Sequence, residues 1–221
     1  MDRPRRERLV LFAREPAPGG VKTRLAAAIG AERAAALYEA FLADLAEALV
    51  SPSWESVVAA DGAETPRLAR IFAAGWLLVP QRDGSLGDRL ARAAAGGFDA
   101  GSERVALAGS DAPTMRAADV AAALAALDAS DLAAAPAPDG GFSLVALRAG
   151  TAPPDLFSGV RWSTELALSD LRRNAAGLGL RVALLPEIPD VDVAADLPPL
   201  RRRLARDGRL APATRAFLGT F

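Results

Sequence analysis

Three cations, Arg14, Lys22 and Arg24, lie within eleven residues and bracket the pair Gly19-Gly20. Guanidinium and ammonium groups pair with phosphate oxygens, and glycine lets the backbone come close to a ligand and turn its amides toward it. A helix beginning near Thr23 would add its positive end to the same place. These parts suit a diphosphate or triphosphate. The segment is not a P-loop: Glu15 stands where that motif has its first glycine, and Val21 separates Gly20 from Lys22. The dinucleotide-binding glycine fingerprint is absent as well. A surface loop with solvated cations and a helix-start signal is the alternative these residues leave open.

Carboxylates form the second group able to do chemistry. Asp111, in Gly109-Ser110-Asp111-Ala112-Pro113, directly follows a short apolar strand candidate. A carboxylate at a strand's carboxyl end can hold Mg²⁺ against nucleotide phosphates, because this ion uses few protein carboxylates and keeps water and phosphate oxygens. Turn chemistry explains the same residues, with Thr114 capping the helix that follows. Asp190-Val191-Asp192 precedes the last long helix, where either aspartate could supply a second metal carboxylate or Asp192 could be a helix cap. Asp139-Gly140-Gly141 is a hairpin signal, or a tight turn that brings backbone and a carboxylate against a substrate. Trp162-Ser163-Thr164 reads as a helix start whose indole and hydroxyls could also line an acceptor pocket. Leu86-Gly87 lies at another loop-to-helix start and could pack on a nucleobase. Arg201, Arg202, Arg203, Arg206 and Arg209 read as a solvated helix face.

Composition narrows the chemistry. The 221 residues include no cysteine and no histidine, which excludes a disulfide, a Cys or His zinc site, a thiol nucleophile and a Ser–His–Asp triad. A metal must then take oxygen ligands, which points to Mg²⁺ or Mn²⁺. Lys plus Arg (26) and Asp plus Glu (27) nearly cancel, so charge makes no case for a nucleic-acid partner. The apolar run Leu9 to Ala13 is too short for a signal-peptide core or a membrane span. A cytoplasmic protein with no membrane partner is the expectation.

The elements that must position these groups alternate between strand and helix. Leu9 to Ala13 is a continuous apolar run, as in a strand covered on both faces. Leu37, Phe41, Leu45 and Leu49 recur every fourth residue as one helical stripe. Further strands are predicted at Trp54 to Ala60, Gly75 to Pro80, Arg104 to Ala108, near Asp131 to Pro136, at Phe142 to Leu147 and at Arg181 to Leu185. Helices are predicted at Pro66 to Ala74, Met115 to Leu127, Thr164 to Ala176 and Ala194 to Arg206. This alternation predicts a single α/β domain over residues 1–221, with a tail at 1–8 and a mostly parallel sheet carrying helices on both faces.

Taken in order, the motifs resemble one family. Phe12 to Leu25 is similar to the opening of the bacterial DUF2064 family, nucleotide-diphospho-sugar transferase-like proteins also described as glycosyltransferases associated with arsenosugar biosynthesis. The likeness continues through Gly84 to Leu90, Gly109 to Pro113, Asp139 to Phe142, Trp162 to Thr164 and Asp190 to Asp192. It implies a GT-A-like fold related to the molybdenum-cofactor and phospholactate nucleotidyltransferases. The resemblance places Arg14, Gly19, Gly20, Lys22, Arg24, Leu86 and Gly87 at the nucleotide, with Lys22, Arg24 and Asp111 catalytic. It makes Asp111, with Asp190 or Asp192, the ligands of Mg²⁺ or Mn²⁺. It sets Asp139, Gly140, Gly141, Phe142, Trp162, Ser163 and Thr164 against a small-molecule acceptor. The implied activity is a metal-dependent transferase using a nucleotide sugar or nucleoside triphosphate, leaning to glycosyl transfer. Guanylyl or cytidylyl transfer to a small phosphorylated acceptor is the alternative, and a non-catalytic nucleotide-binding module is an alternative of another class. The chain departs from the pattern at Gly20, where many relatives are basic, at Arg14 for a frequent Lys, and at Phe142-Ser143 for a more aromatic pair.

Overall fold

The computed structural model describes residues 7–62 and 64–220. Seven strands form one sheet: β1 (Glu7–Arg14), β2 (Glu55–Asp61), β3 (Leu77–Pro80), β4 (Arg104–Gly109), β5 (Leu132–Pro136), β6 (Phe142–Arg148) and β7 (Val182–Leu184). Among the described residues nine α-helices accompany them: α1 (Thr23–Ile29), α2 (Ala31–Ala48), α3 (Pro66–Ile71), α4 (Leu86–Asp99), α5 (Ala117–Ala126), α6 (Pro153–Phe157), α7 (Ala167–Gly177), α8 (Leu197–Arg206) and α9 (Pro212–Leu218). Residues 1–6 of the expected tail lie outside the described residues, while Glu7 and Arg8 already pair within the sheet. No described helix is long and apolar enough to cross a membrane.

The strand order is β3-β2-β1-β4-β6-β5-β7. Strands β1 to β4 pair in parallel, and β7 joins β5 in parallel. Strand β6 runs antiparallel to both β4 and β5, an exception within the expected mostly parallel sheet. The reason is local: the turn at Asp139 to Gly141 is far too short for a parallel crossover, so it can only reverse the chain. Gly140 takes φ +86 there, and its N–H donates to Ala137 O at 3.1 Å.

Alternation along β1 sends Leu9, Leu11 and Ala13 to one core and Val10 to the other. The first core receives the predicted stripe of Leu37, Phe41 and Leu45, each fully buried on α2, together with α1, α3, α5, α8 and α9. The second is closed by α4, α6 and α7 through Leu90, Leu156 and Leu171. Helix α9 has no side-chain cap of its own. The buried Asp44 of α2 instead accepts hydrogen bonds from Ala213 N and Thr214 N, both at 2.8 Å.

Between β1 and β4 the chain order reverses, since β1 neighbours β2 on one side and β4 on the other. In open α/β sheets a crevice forms at such a switch point, outside the strands' carboxyl ends. The loops after β1 and β4 flank it. After β7, residues 185–191 run back along the same edge, held by Leu185 N to Ala134 O, Ile188 N to Pro136 O and Val191 N to Asp111 O.

Candidate functional site

Lys22 and Asp111 meet across this switch point. The Lys22 side chain is 4% exposed, and its Nζ lies 2.5 Å from Asp111 Oδ1, 2.8 Å from Asp192 Oδ1 and 2.6 Å from Val191 O. Burial alone would disfavour its charge, yet Asp111 and Asp192 outweigh burial and hold the ammonium above the ordinary lysine value. The Tyr38 and Phe41 rings stand 5.9 and 5.8 Å away. Tyr38 is buried, shares a 2.6 Å hydrogen bond with Ser110 and accepts Arg14 N–H, tying the ends of β1 and β4 together. Burial, with Asp111 nearby, pushes its phenol well above the usual range.

Lys22 was expected among the phosphate contacts. Its three ammonium hydrogens instead have three acceptors in the protein, which makes it the strut that positions two carboxylates. Its backbone is in the left-handed region (φ 48) and forms the N-cap of α1. That helix begins at Thr23 as predicted but has only seven residues, so its dipole adds little.

Asp190 and Asp192 were weighed as rivals for one metal position, and both belong to the cluster. Oxygens of Asp139, Asp190 and Asp192 all lie within 4.8 Å of one another. Asp139, expected at the acceptor, therefore joins the acidic group, while Asp111 connects to it through the shared Lys22. Asp192 is not a helix cap. Asp196 accepts the N–H groups of Asp192 and Val193, both at 2.8 Å, and the Asp192 carboxylate is left to Lys22. Burial, then repulsion from Asp139 and Asp192, pushes the Asp190 carboxyl up to about 6. A divalent cation would relieve that repulsion, and an all-oxygen donor set fits Mg²⁺ or Mn²⁺.

The loop after β1 is held from several sides. Arg14 bonds the Asp61 carboxylate through Nε at 3.1 Å and a terminal nitrogen at 3.0 Å. Asp61 also meets Arg89 at 3.3 Å, and Gln81 accepts from Arg89 at 2.9 Å. Glu15 accepts the N–H groups of Arg67 and Leu68 at the start of α3. Gly19 needs its φ of +77, but Gly20 spends its amide on Ala17 O, closing a turn instead of facing a ligand. Arg24 is exposed and lines a cavity of about 730 Å³ beside the acidic trio.

A second, smaller cavity of about 170 Å³ shares Asp139 and Asp190 with the first and is also lined by Leu86, Gly141, Phe142, Trp162, Ser163 and Thr164. Phe142 and Trp162 meet edge to face at 6.0 Å. Two expected contacts are corrected. Gly87 faces protein: a Cβ there would come 2.9 Å from Phe157 O and 3.1 Å from Trp162 Nε1. Gly140 likewise seats the segment before α7, where a Cβ would come 2.3 Å from Glu165 O. Helix α7 begins at Ala167, three residues later than predicted, so neither Ser163 nor Thr164 caps it. Ser163 takes φ 59 at the cavity, and Thr164 Oγ1 bonds Arg161 O and Leu166 N. Asp61, Tyr38 and Ser110 were not among the predicted site residues. Asp61 follows the same strand-end rule that singled out Asp111.

The fold is that of a nucleotide-diphospho-sugar transferase-like α/β protein. A structure from Desulfovibrio desulfuricans, provisionally described as a nucleotide-diphospho-sugar transferase, is 30% identical, with a TM-score of 0.90 over 97% of this chain and 94% of that one. The model of DUF2064, described as uncharacterized protein conserved in bacteria, matches residues 44–164, and the chain belongs to that family. Two further structures share the fold. The 4-diphosphocytidyl-2C-methyl-D-erythritol synthase of Anaerococcus prevotii is 9% identical, with a TM-score of 0.58 over 90% of this chain and 98% of that one. A manganese complex of a Mycobacterium tuberculosis protein is 17% identical, with a TM-score of 0.50 over 91% and 99%. No curated protein matches the chain.

Proposed function

We propose that this protein is a metal-dependent transferase that moves a group from a nucleotide donor to a small acceptor, with glycosyl transfer from a nucleotide sugar as the leading reaction. The observation that carries the reading is Lys22 holding Asp111 and Asp192 together at the switch point, with Asp139 and Asp190 alongside. The provisional description of the 30% identical relative supports a nucleotide-sugar donor.

The chain's own groups divide the work. Arg14, at the end of β1, receives donor phosphates. The aspartates would hold Mg²⁺ or Mn²⁺, which would neutralise charge on those phosphates. Lys22 keeps Asp111 and Asp192 at a fixed separation. Phe142 and Trp162 form an apolar wall that keeps water from the small cavity, and Asp139 and Asp190 face both cavities. No covalent nucleophile is needed: alignment of an acceptor hydroxyl with the donor, and charge stabilisation on the phosphates, supply the catalysis.

Glycosyl transfer breaks the sugar–oxygen bond and releases a nucleoside diphosphate. Nucleotidyl transfer breaks the bond between the α- and β-phosphates and releases pyrophosphate. Both use the same charges, so the products decide. Phosphorus NMR of the full chain with UDP-, GDP-, ADP- and TDP-sugars and with the four nucleoside triphosphates, each with Mg²⁺ and an acceptor panel, separates them. Nucleoside diphosphate release supports the glycosyl reading, and pyrophosphate release replaces it with nucleotidyl transfer. Metal-dependent binding without any release would make the protein a non-catalytic nucleotide module.

A further inference from the structure

The large cavity beside the acidic trio is lined by groups of both signs. Its carboxylates are Asp139, Asp190 and Asp192 with Glu187 and Asp196, the last already accepting the N–H groups of Asp192 and Val193. Its cations are Arg202, Arg203 and Arg206 of α8, with Arg24 from the first turn of α1. Positions 202, 203 and 206 fall on one helical stripe, while Leu197, Leu200 and Leu204 anchor the helix in the core. A solvated helix face would account for α8 alone. It does not account for the fourth guanidinium, which comes from a separate element and lines the same space.

The side chains of these four arginines make no ion pair or hydrogen bond among the described residues. Elsewhere Arg14, Arg89, Arg161 and Arg181 each meet an aspartate. A second observation points the same way. Thr114, 6% exposed, lines this cavity, and its Oγ1 is buried without a hydrogen-bond partner. Buried hydroxyls are nearly always satisfied, so an orphan one at a cavity wall marks a missing acceptor.

We propose that this cavity binds the acceptor through a phosphomonoester, held by Arg24, Arg202, Arg203, Arg206 and the Thr114 hydroxyl. The inference rests on the transferase reading and names the acceptor class for that same site. A phosphomonoester carries a charge near −2 and three acceptor oxygens, which four guanidiniums and a hydroxyl match better than they match one carboxylate. Arginine binds such oxygens in pairs, through two parallel N–H bonds. With its phosphate against α8, the other end of the acceptor lies toward the trio and the donor. A volume of about 730 Å³ accommodates a small phosphorylated molecule and far exceeds a lone phosphate.

The test is titration calorimetry on the full chain with three probes: glycerol 3-phosphate, lactate, and a Mg²⁺–nucleotide taken from the NMR panel. The comparison is the triple variant Arg202→Gln, Arg203→Gln, Arg206→Gln, whose exposed positions leave the core intact. Glycerol 3-phosphate should bind the wild type, prefer it to the variant at least tenfold, and outcompete lactate, while nucleotide affinity stays within twofold. Equal glycerol 3-phosphate binding by both proteins, or none by either, overturns the proposal. So does lactate binding as tightly, which would make the cavity a general anion site. Nucleotide affinity falling in parallel also overturns it, by assigning the arginines to the donor. Arginine-dependent phosphate binding with no nucleotide bound at all would uphold the anion site and sink the transferase reading instead.

Discussion

Replacing Lys22 with Met removes the cation and keeps most of the buried stem. Taking one partner from a buried ion pair costs about 3–5 kcal/mol. The Asp111 and Asp192 side chains are 47% and 38% exposed, so water screens part of that cost, leaving about 1–3 kcal/mol. For a chain of this size each kcal/mol moves the melting temperature by about 2–4 °C. A loss near 2 kcal/mol therefore lowers it by about 4–8 °C without metal. The variant should then respond more strongly to Mg²⁺ or Mn²⁺ than the wild type, because the ammonium no longer competes for the same carboxylate oxygens. Metal at ten times its dissociation constant restores about 1.4 kcal/mol by mass action. Differential scanning fluorimetry over a metal series reads both effects. An unchanged melting temperature without metal would refute the strut role, and a metal shift no larger than the wild type's would refute competition between the ammonium and the metal for the carboxylate oxygens.

Three other perturbations follow from the same geometry. Gly140→Ala places a Cβ 2.3 Å from Glu165 O at φ +86; a loss of more than about 3 kcal/mol is expected in urea unfolding, as for a clash combined with backbone strain. Asp44→Ala leaves the N–H groups of Ala213 and Thr214 without their acceptor, at a cost of about 1–3 kcal/mol; hydrogen exchange should show α9 opening first. The backbone N–H and side chain of Arg181, with Arg148, lower the Asp131 carboxyl from 3.8 to about 2. Its stabilisation is then present above pH 4 and is lost as pH falls toward 2. Asp131→Asn should flatten the stability profile across that window, and an equally steep profile would show that other carboxylates govern acid unfolding.

Much of the fold could be read from periodicity. The buried β1 run, the every-fourth stripe of α2 and the strand-end position of Asp111 all carry local signals that the structure keeps. Other features depend on distant partners. Helix α9 is short and is capped by Asp44, about 170 residues earlier, so no local pattern announces it. Asp139 looks like turn chemistry until residues 185–191 bring Asp190 and Asp192 against it. Lys22 looks like a phosphate contact or a solvated cation because nothing nearby in sequence reveals that Val191 O and two carboxylates enclose it. The α8 arginines form a visible stripe, but their shared cavity with Arg24 exists only in three dimensions.

The most direct test of the central claim is nucleotide affinity measured with and without Mg²⁺, for the wild type and for Asp192→Asn. The account predicts binding that requires the metal in the wild type and falls at least tenfold in the variant, with the fold preserved. Nucleotide binding indifferent to metal and equal in both proteins would contradict it.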